Sequence, residues 1–252
     1  MSFVEAEVVQ ERPRPWGLWA TIGLSLAIGA AFLGVQVPVA IAYIAIAKTA
    51  NPAAPLDEIA AGAETNGLLL AVAAWAVVPV FVGLSALFAR LRRPWSAGEY
   101  LAMTPVSLGR LGAWLLATVA LTTLADLVTY LLGREMVPQM MIDAYRTAGW
   151  PPLFWSALVI AAPLAEETFF RGFVFRGLQA SRIGTRGAIT LTALCWAAMH
   201  LQYDLYQIGH IFVGGILLGL ARAHTRSTYT PLAMHALWNL IATLEVWWVL
   251  ST

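Results

Sequence analysis

With 60% hydrophobic and only 12% charged residues in a length of 252, the chain has too few charges for an ordinary water-soluble domain, where about 25% is usual. Its formal net charge of +1 excludes a polybasic face for nucleic acid, and the single cysteine, Cys195, excludes an intrachain disulfide or a CxxC site. A mean hydropathy of +0.72 and eleven tryptophans fit a polytopic membrane protein with interfacial anchors.

The N-terminal stretch "MSFVEAEVVQERPRPW" carries Glu5, Glu7 and Glu11 where a cleaved signal would be basic, and it reads as a short cytoplasmic tail. Seven apolar stretches then follow at 17–47, 66–89, 108–132, 152–175, 187–204, 207–223 and 229–250. The first far exceeds a hydrocarbon core of about 30 Å, so it must tilt or break near Pro38, and a break would make eight spans. The connection 90–107 reads as cytoplasmic, and 48–65 and 133–151 as non-cytoplasmic loops. Eleven basic residues fall on one side of a seven-span arrangement, among them Arg90, Arg92, Arg93, Arg176 and Arg222. Only Lys48, Arg134 and Arg146 fall on the other, which places the first side and the N-terminus in the cytoplasm. No internal repeat is visible. The expected fold is an all-α, polytopic membrane helix bundle of seven or eight transmembrane helices around an intramembrane polar cavity. It forms a single integral-membrane domain over 1–252, with N-terminal spans and loops in 1–150.

In the fourth stretch, "PLAEETFFRGFVF" places Glu166, Glu167 and Arg171 where each charge costs about 3 kcal/mol or more at a bilayer centre. Glu167 and Arg171 are i,i+4 with the glutamate first, the favourable order for an ion pair, while Glu166 is turned about 140° away from Arg171. Glu166 is thus left to face something else, and a desolvated, unpaired carboxylate can serve as a general base. The alternative is a purely structural ion pair near the interface. Two further pairs share helix faces, Trp196 with His200 in "WAAMH" and His235 with Asn239 in "HALWN". A lone helical histidine is usually a satisfied packing residue. Three separate helices offering Glu, His and His/Asn can instead converge on one cavity, with a carboxylate activating water and imidazole and amide donors facing an oxyanion.

The motifs "EETFFR", "WAAMH" and "HALWN" resemble, in order and spacing, the EExxxR, FxxxH and HxxxN motifs of the CPBP family of CAAX proteases and bacteriocin-processing enzymes (Abi), intramembrane glutamic endopeptidases. The resemblance covers roughly 150–245. It implies that 150–252 holds the catalytic core spans, that Glu166 is the base for water assisted by His200, and that His235 and Asn239 stabilise the oxyanion. Glu167 and Arg171 would be structural or orienting, and Trp196, standing where the family has Phe, would keep an aromatic wall. The implied partners are a membrane-associated protein or peptide substrate and the lipid bilayer, with no cofactor, no metal and no nucleic acid. The expected location is a bacterial inner or plasma membrane.

His200 comes out about 10 Å deeper than Glu166 along this span arrangement, so either the fifth span starts later than Arg186 suggests or Pro163 displaces the fourth. Other readings of the same residues stand beside the peptidase. Glu166, His200 and His235 are a plausible zinc set without any HExxH, and a non-proteolytic scaffold or a proton-coupled transporter would also use buried Glu and His. Cys195 reads as a buried structural thiol. Gly215 and Gly219 read as a helix-packing face. His210 reads as interfacial or hydrogen-bonded, and Asp126 and Glu245 as water-reaching residues outside the site.

Overall fold

The computed structural model describes residues 13–252, and residues 1–12 of the N-terminal tail, with Glu5, Glu7, Glu11 and Arg12, lie outside the described residues. The helices in order are α1 (Leu18–Ala50), α2 (Leu56–Glu64), α3 (Gly67–Leu91), α4 (Ala97–Tyr100), α5 (Leu108–Leu131), α6 (Gln139–Arg146), α7 (Pro151–Gln179), α8 (Gly184–Ala198), α9 (Leu205–Thr225) and α10 (Tyr229–Ser251). Six of them, α1, α3, α5, α7, α9 and α10, are long and apolar enough to cross a membrane, and no strand occurs among the described residues. The chain is an all-α integral membrane protein.

One of the two alternatives for the first span is closed, and one expectation about the spans is corrected. Pro38 does not break α1, which runs through it for 33 residues, so no eighth span arises there. The stretch 187–204 does not form a full-length span. Its helix, α8, has 15 residues and rises only roughly 22 Å, short of a core of about 30 Å. The chain leaves the helix at Met199, and the polar "QYD" that follows supplies Asp204, whose carboxylate caps α9 by accepting from Gln207 N at 2.8 Å.

The connections sort to two ends of the bundle. At the first end Trp16 donates to the Phe88 carbonyl at 2.9 Å, and Arg92 to the Arg14 carbonyl at 3.0 Å. At the opposite end Gly67 N donates to Thr147 Oγ1 at 2.9 Å, and Arg134 pairs with Asp204 at 3.0 Å. Short α8 therefore runs from the first end toward the second. The connection 97–107 tucks into the first end, where Tyr100 is fully buried. Burial pushes the Tyr100 phenol up to about 12, against the lowering effect of the Trp16 N–H that donates to it at 3.2 Å. Thr228 donates through N to the Ala102 carbonyl at 2.8 Å and through Oγ1 to the Leu101 carbonyl at 2.6 Å. Both Thr228 and Thr230 are fully buried, so α10 begins inside the bundle rather than at its rim.

The α8–α9 contact is close because α9 is bare along one stripe. A Cβ on Gly215 would lie 2.9 Å from Ala193 Cβ and 3.0 Å from its Cα, and one on Gly219 would lie 3.1 Å from Ile189. The packing face expected of these glycines is present. Large apolar side chains such as Leu26, Leu33, Leu116 and Leu194 point outward, as in a bundle solvated by lipid.

Candidate active site

Helix α7 carries π-helical turns at Ala157–Ala161 and Thr168–Val174, on either side of the two glutamates. The first has a sequence cause. Ala162 N donates back to the Ala157 carbonyl, and the next residue, Pro163, has no N–H, so the Leu158 carbonyl is left without a helical donor. Asn239 Nδ2 fills that vacancy at 2.7 Å. One N–H of the amide is therefore committed to α7, and the second remains.

Glu167 and Arg171 are both fully buried and paired at 2.9 Å, as the i,i+4 spacing predicts. The same Glu167 oxygen, Oε1, holds His235 Nδ1 at 2.9 Å. Arg171 also donates to the Gly215 carbonyl at 3.3 Å and lies 4.8 Å from the Trp196 ring centre. Its own carbonyl accepts from Arg222 Nε at 2.9 Å. Glu167 is thus consumed by two partners in the protein interior.

Glu166 faces the other way. It is half-buried, and its Oε2 accepts a hydrogen bond from Trp196 Nε1. This differs from the unpaired carboxylate expected, and it gives Trp196 a polar role that a phenylalanine could not fill. The Trp196 ring stands edge-on to His200 at 5.3 Å centroid separation and to His235 at 5.1 Å. His200 Nδ1 lies 2.9 Å from the Trp196 carbonyl. A carbonyl only accepts, so Nδ1 carries a proton, and in the neutral form of the ring the lone pair then falls on Nε2.

Glu166, Trp196, His200, His235 and Asn239 all line one cavity of about 440 Å³. The expected mismatch in depth disappears because α7 extends to Gln179. Glu166 then lies roughly 20 Å from the α7 end, and His200, just past α8, roughly 24 Å from the α8 start. His235 lies at the same level, since its Nδ1 is 2.9 Å from Oε1 of Glu167, the neighbour of Glu166.

Tyr203, on the loop after α8, lines this cavity and stacks on His200 at 6.3 Å. Burial, and secondarily the Glu166 charge, push its phenol up to about 12, which keeps it a hydrogen-bond donor. Asp126 and Glu245 also line the cavity, which corrects their placement outside the site, and His210 lines it as well. Residues from α5, α9 and α10 meet only in the folded bundle, so helix spacing carried no sign of them. Cys195 is exposed rather than buried and does not line the cavity. It lies next to Trp196 in sequence and so is turned outward with Leu191 and Leu194. Among the described residues no group of three or more His, Cys, Asp or Glu could hold a metal ion.

Residues 148–241 match the family Rce1-like, type II CAAX prenyl endopeptidase Rce1-like. This bears out the resemblance drawn from the three motifs. The Rce1-like segment begins just before α7 and ends in α10 beyond Asn239, so it contains Glu166, Glu167, Arg171, Trp196, His200, His235 and Asn239. An uncharacterized 24.3 kDa protein of Escherichia coli is 27% identical over 130 residues, or 48% of this chain and 58% of that protein. The chain thus matches little more than half of that relative's length. No solved structure matches the chain.

Proposed function

We propose that the chain is an intramembrane endopeptidase that hydrolyses a peptide bond in a membrane-associated protein or peptide, with Glu166 activating the water. The observation that carries this reading is the division of labour between adjacent carboxylates. Glu167 is buried and spent on Arg171 and His235, while Glu166 lines the cavity beside His200.

Water held by Glu166 attacks the scissile carbonyl carbon and gives a proton to the carboxylate, with Nε2 of neutral His200 as the second acceptor in reach of the cavity. The carbonyl oxygen becomes an oxyanion. His235 in its protonated form has both ring N–H groups, one on Glu167 and one, at Nε2, for that oxyanion. The remaining Asn239 N–H is a second donor, and the Tyr203 phenol a third. When the C–N bond breaks, the proton returns from Glu166 to the leaving amine, and a carboxylate and an amine are released. The type II CAAX prenyl endopeptidase match supports a peptidase, and the six apolar helices support a membrane-associated substrate. The reading places the protein in a bacterial inner or plasma membrane, N-terminus in the cytoplasm, as a single integral-membrane domain.

The test is cleavage of lipid-anchored peptides by the purified protein in liposomes. His200→Ala and His235→Ala should each lower kcat by about a hundredfold or more, and Asn239→Ala by less, because it is one donor of several. Unchanged rates in both histidine variants would overturn the mechanism.

A further inference from the structure

The cavity continues from Glu166 toward the end of the bundle that carries the Arg134–Asp204 pair. Its outer lining includes Glu135 and Met136 from the connection after α5 and Gln202 from the loop after α8. Met136 is 44% exposed, so the cavity meets solvent there. No residue of the arginine-rich end, 88–108 or 176–187, lines it. That end is closed by packed side chains, with Tyr100, Phe173 and Leu101 all nearly or fully buried.

The lining is rich in carboxylates. Its ionisable side chains include those of Glu166, Asp126, Glu135 and Glu245 together with the imidazoles of His200, His210 and His235, and it has no lysine or arginine. Asp126 on α5 lies within electrostatic reach of His210 on α9 and of Glu245 on α10. Arg134, which neighbours the lining residue Glu135 in sequence, is engaged with Asp204 at 3.0 Å and lies over the Tyr206 ring at 4.5 Å, so its charge is already matched. Low-dielectric walls concentrate such a field inside the cleft and raise the local concentration of counter-charged groups.

We propose that this cavity admits a positively charged segment of its substrate from the arginine-poor, non-cytoplasmic end of the bundle, with Asp126 and Glu245 selecting the charge. This deepens the peptidase reading and rests on it for the word substrate. The field and the side of access are properties of the cavity itself, and they are tested without any cleavage.

Ala242 lines the cavity on α10 between Asn239 and Glu245. In a Cys195→Ala background, Ala242→Cys supplies one reporter thiol, with Ala125→Cys beside Asp126 as the alternative if the first does not fold. The protein is placed in sealed vesicles of known orientation. It is treated from either side with membrane-impermeant methanethiosulfonates, one carrying trimethylammonium and one carrying sulfonate. Each rate is normalised to that of a free small thiol. The cationic reagent should react about tenfold faster than the anionic one, from the arginine-poor side, and added salt should shrink the ratio. Adding Asp126→Asn with Glu245→Gln should bring the ratio close to one. Equal normalised rates in the parent, or reaction only from the arginine-rich side, would overturn the proposal while leaving the peptidase reading to its own cleavage assay.

Discussion

Oε1 of Glu167 holds His235 Nδ1 at 2.9 Å across 68 residues of sequence, and the same oxygen holds Arg171 at 2.9 Å. One buried carboxylate therefore fixes the ring of a residue on α10 and neutralises a cation on its own helix. The adjacent carboxylate, Glu166, instead accepts from Trp196 Nε1 on α8.

The two glutamates should separate cleanly on mutation. Glu167→Gln leaves Arg171 fully buried without its partner, and breaking such a pair costs about 3–5 kcal/mol. Glu166→Gln leaves that pair intact. Thermal unfolding in detergent should show a large drop for the Glu167 variant and a small one for the Glu166 variant. Equal losses would mean that the network does not discriminate between the two.

Trp196→Phe keeps the aromatic wall and removes only the Nε1 donor to Glu166. A hydrogen bond to a charged group contributes about 1.5–3 kcal/mol, so kcat should fall roughly tenfold or more while the fold persists. A Phe variant with full activity would show that the family's usual aromatic suffices here and that the indole bond is incidental.

How much of this could be read from the residues alone depended on whether the reason was local. The Glu167–Arg171 pair needed only helical spacing, and it survives even though Arg171 lies in a π turn. Pro163 was visible as a disturbance, but its consequence, a Leu158 carbonyl filled by Asn239, requires α10 to be in place. The convergence of Asp126, His210 and Glu245 is likewise tertiary. Trp196 does carry a local signal, since a buried indole N–H ordinarily finds an acceptor. The span count failed at α8 because apolar composition continues past Ala198 while the helix does not.

Gly215→Ala tests the close α8–α9 approach. The added methyl would sit 3.0 Å from the Ala193 backbone, which cannot swing aside like a side chain end. Overpacking of this kind costs about 1–3 kcal/mol. A melting temperature equal to that of the parent would show that the two helices are free to separate.

Stability should fall at high pH for a specific reason. Tyr100 and Tyr203 titrate near 10.0 when unfolded and are pushed up to about 12 in the fold by burial. Below pH 10 both states keep the proton and the contribution is fully present. Between about 10 and about 12 only the unfolded state releases it, so stability declines as pH rises through that window. Ultraviolet titration should show phenolate from these two residues appearing only with unfolding. Normal ionisation of both in the intact protein would contradict their burial.

A zinc-dependent peptidase using Glu166, His200 and His235 as ligands makes an opposite forecast to water activation by Glu166 alone. Activity should survive a strong chelator undiminished. Loss of activity with chelator, restored by stoichiometric zinc, would reassign all three residues as ligands.

The most direct measurement is the rate of peptide-bond cleavage by Glu166→Gln beside the parent, in liposomes carrying a lipid-anchored peptide that the parent cleaves. Gln keeps the shape and the bond to Trp196 but cannot accept the proton of water. The account expects cleavage to fall by at least about a thousandfold while the melting temperature stays near that of the parent. Cleavage retained within a few-fold of the parent rate by a folded Glu166→Gln protein would contradict it.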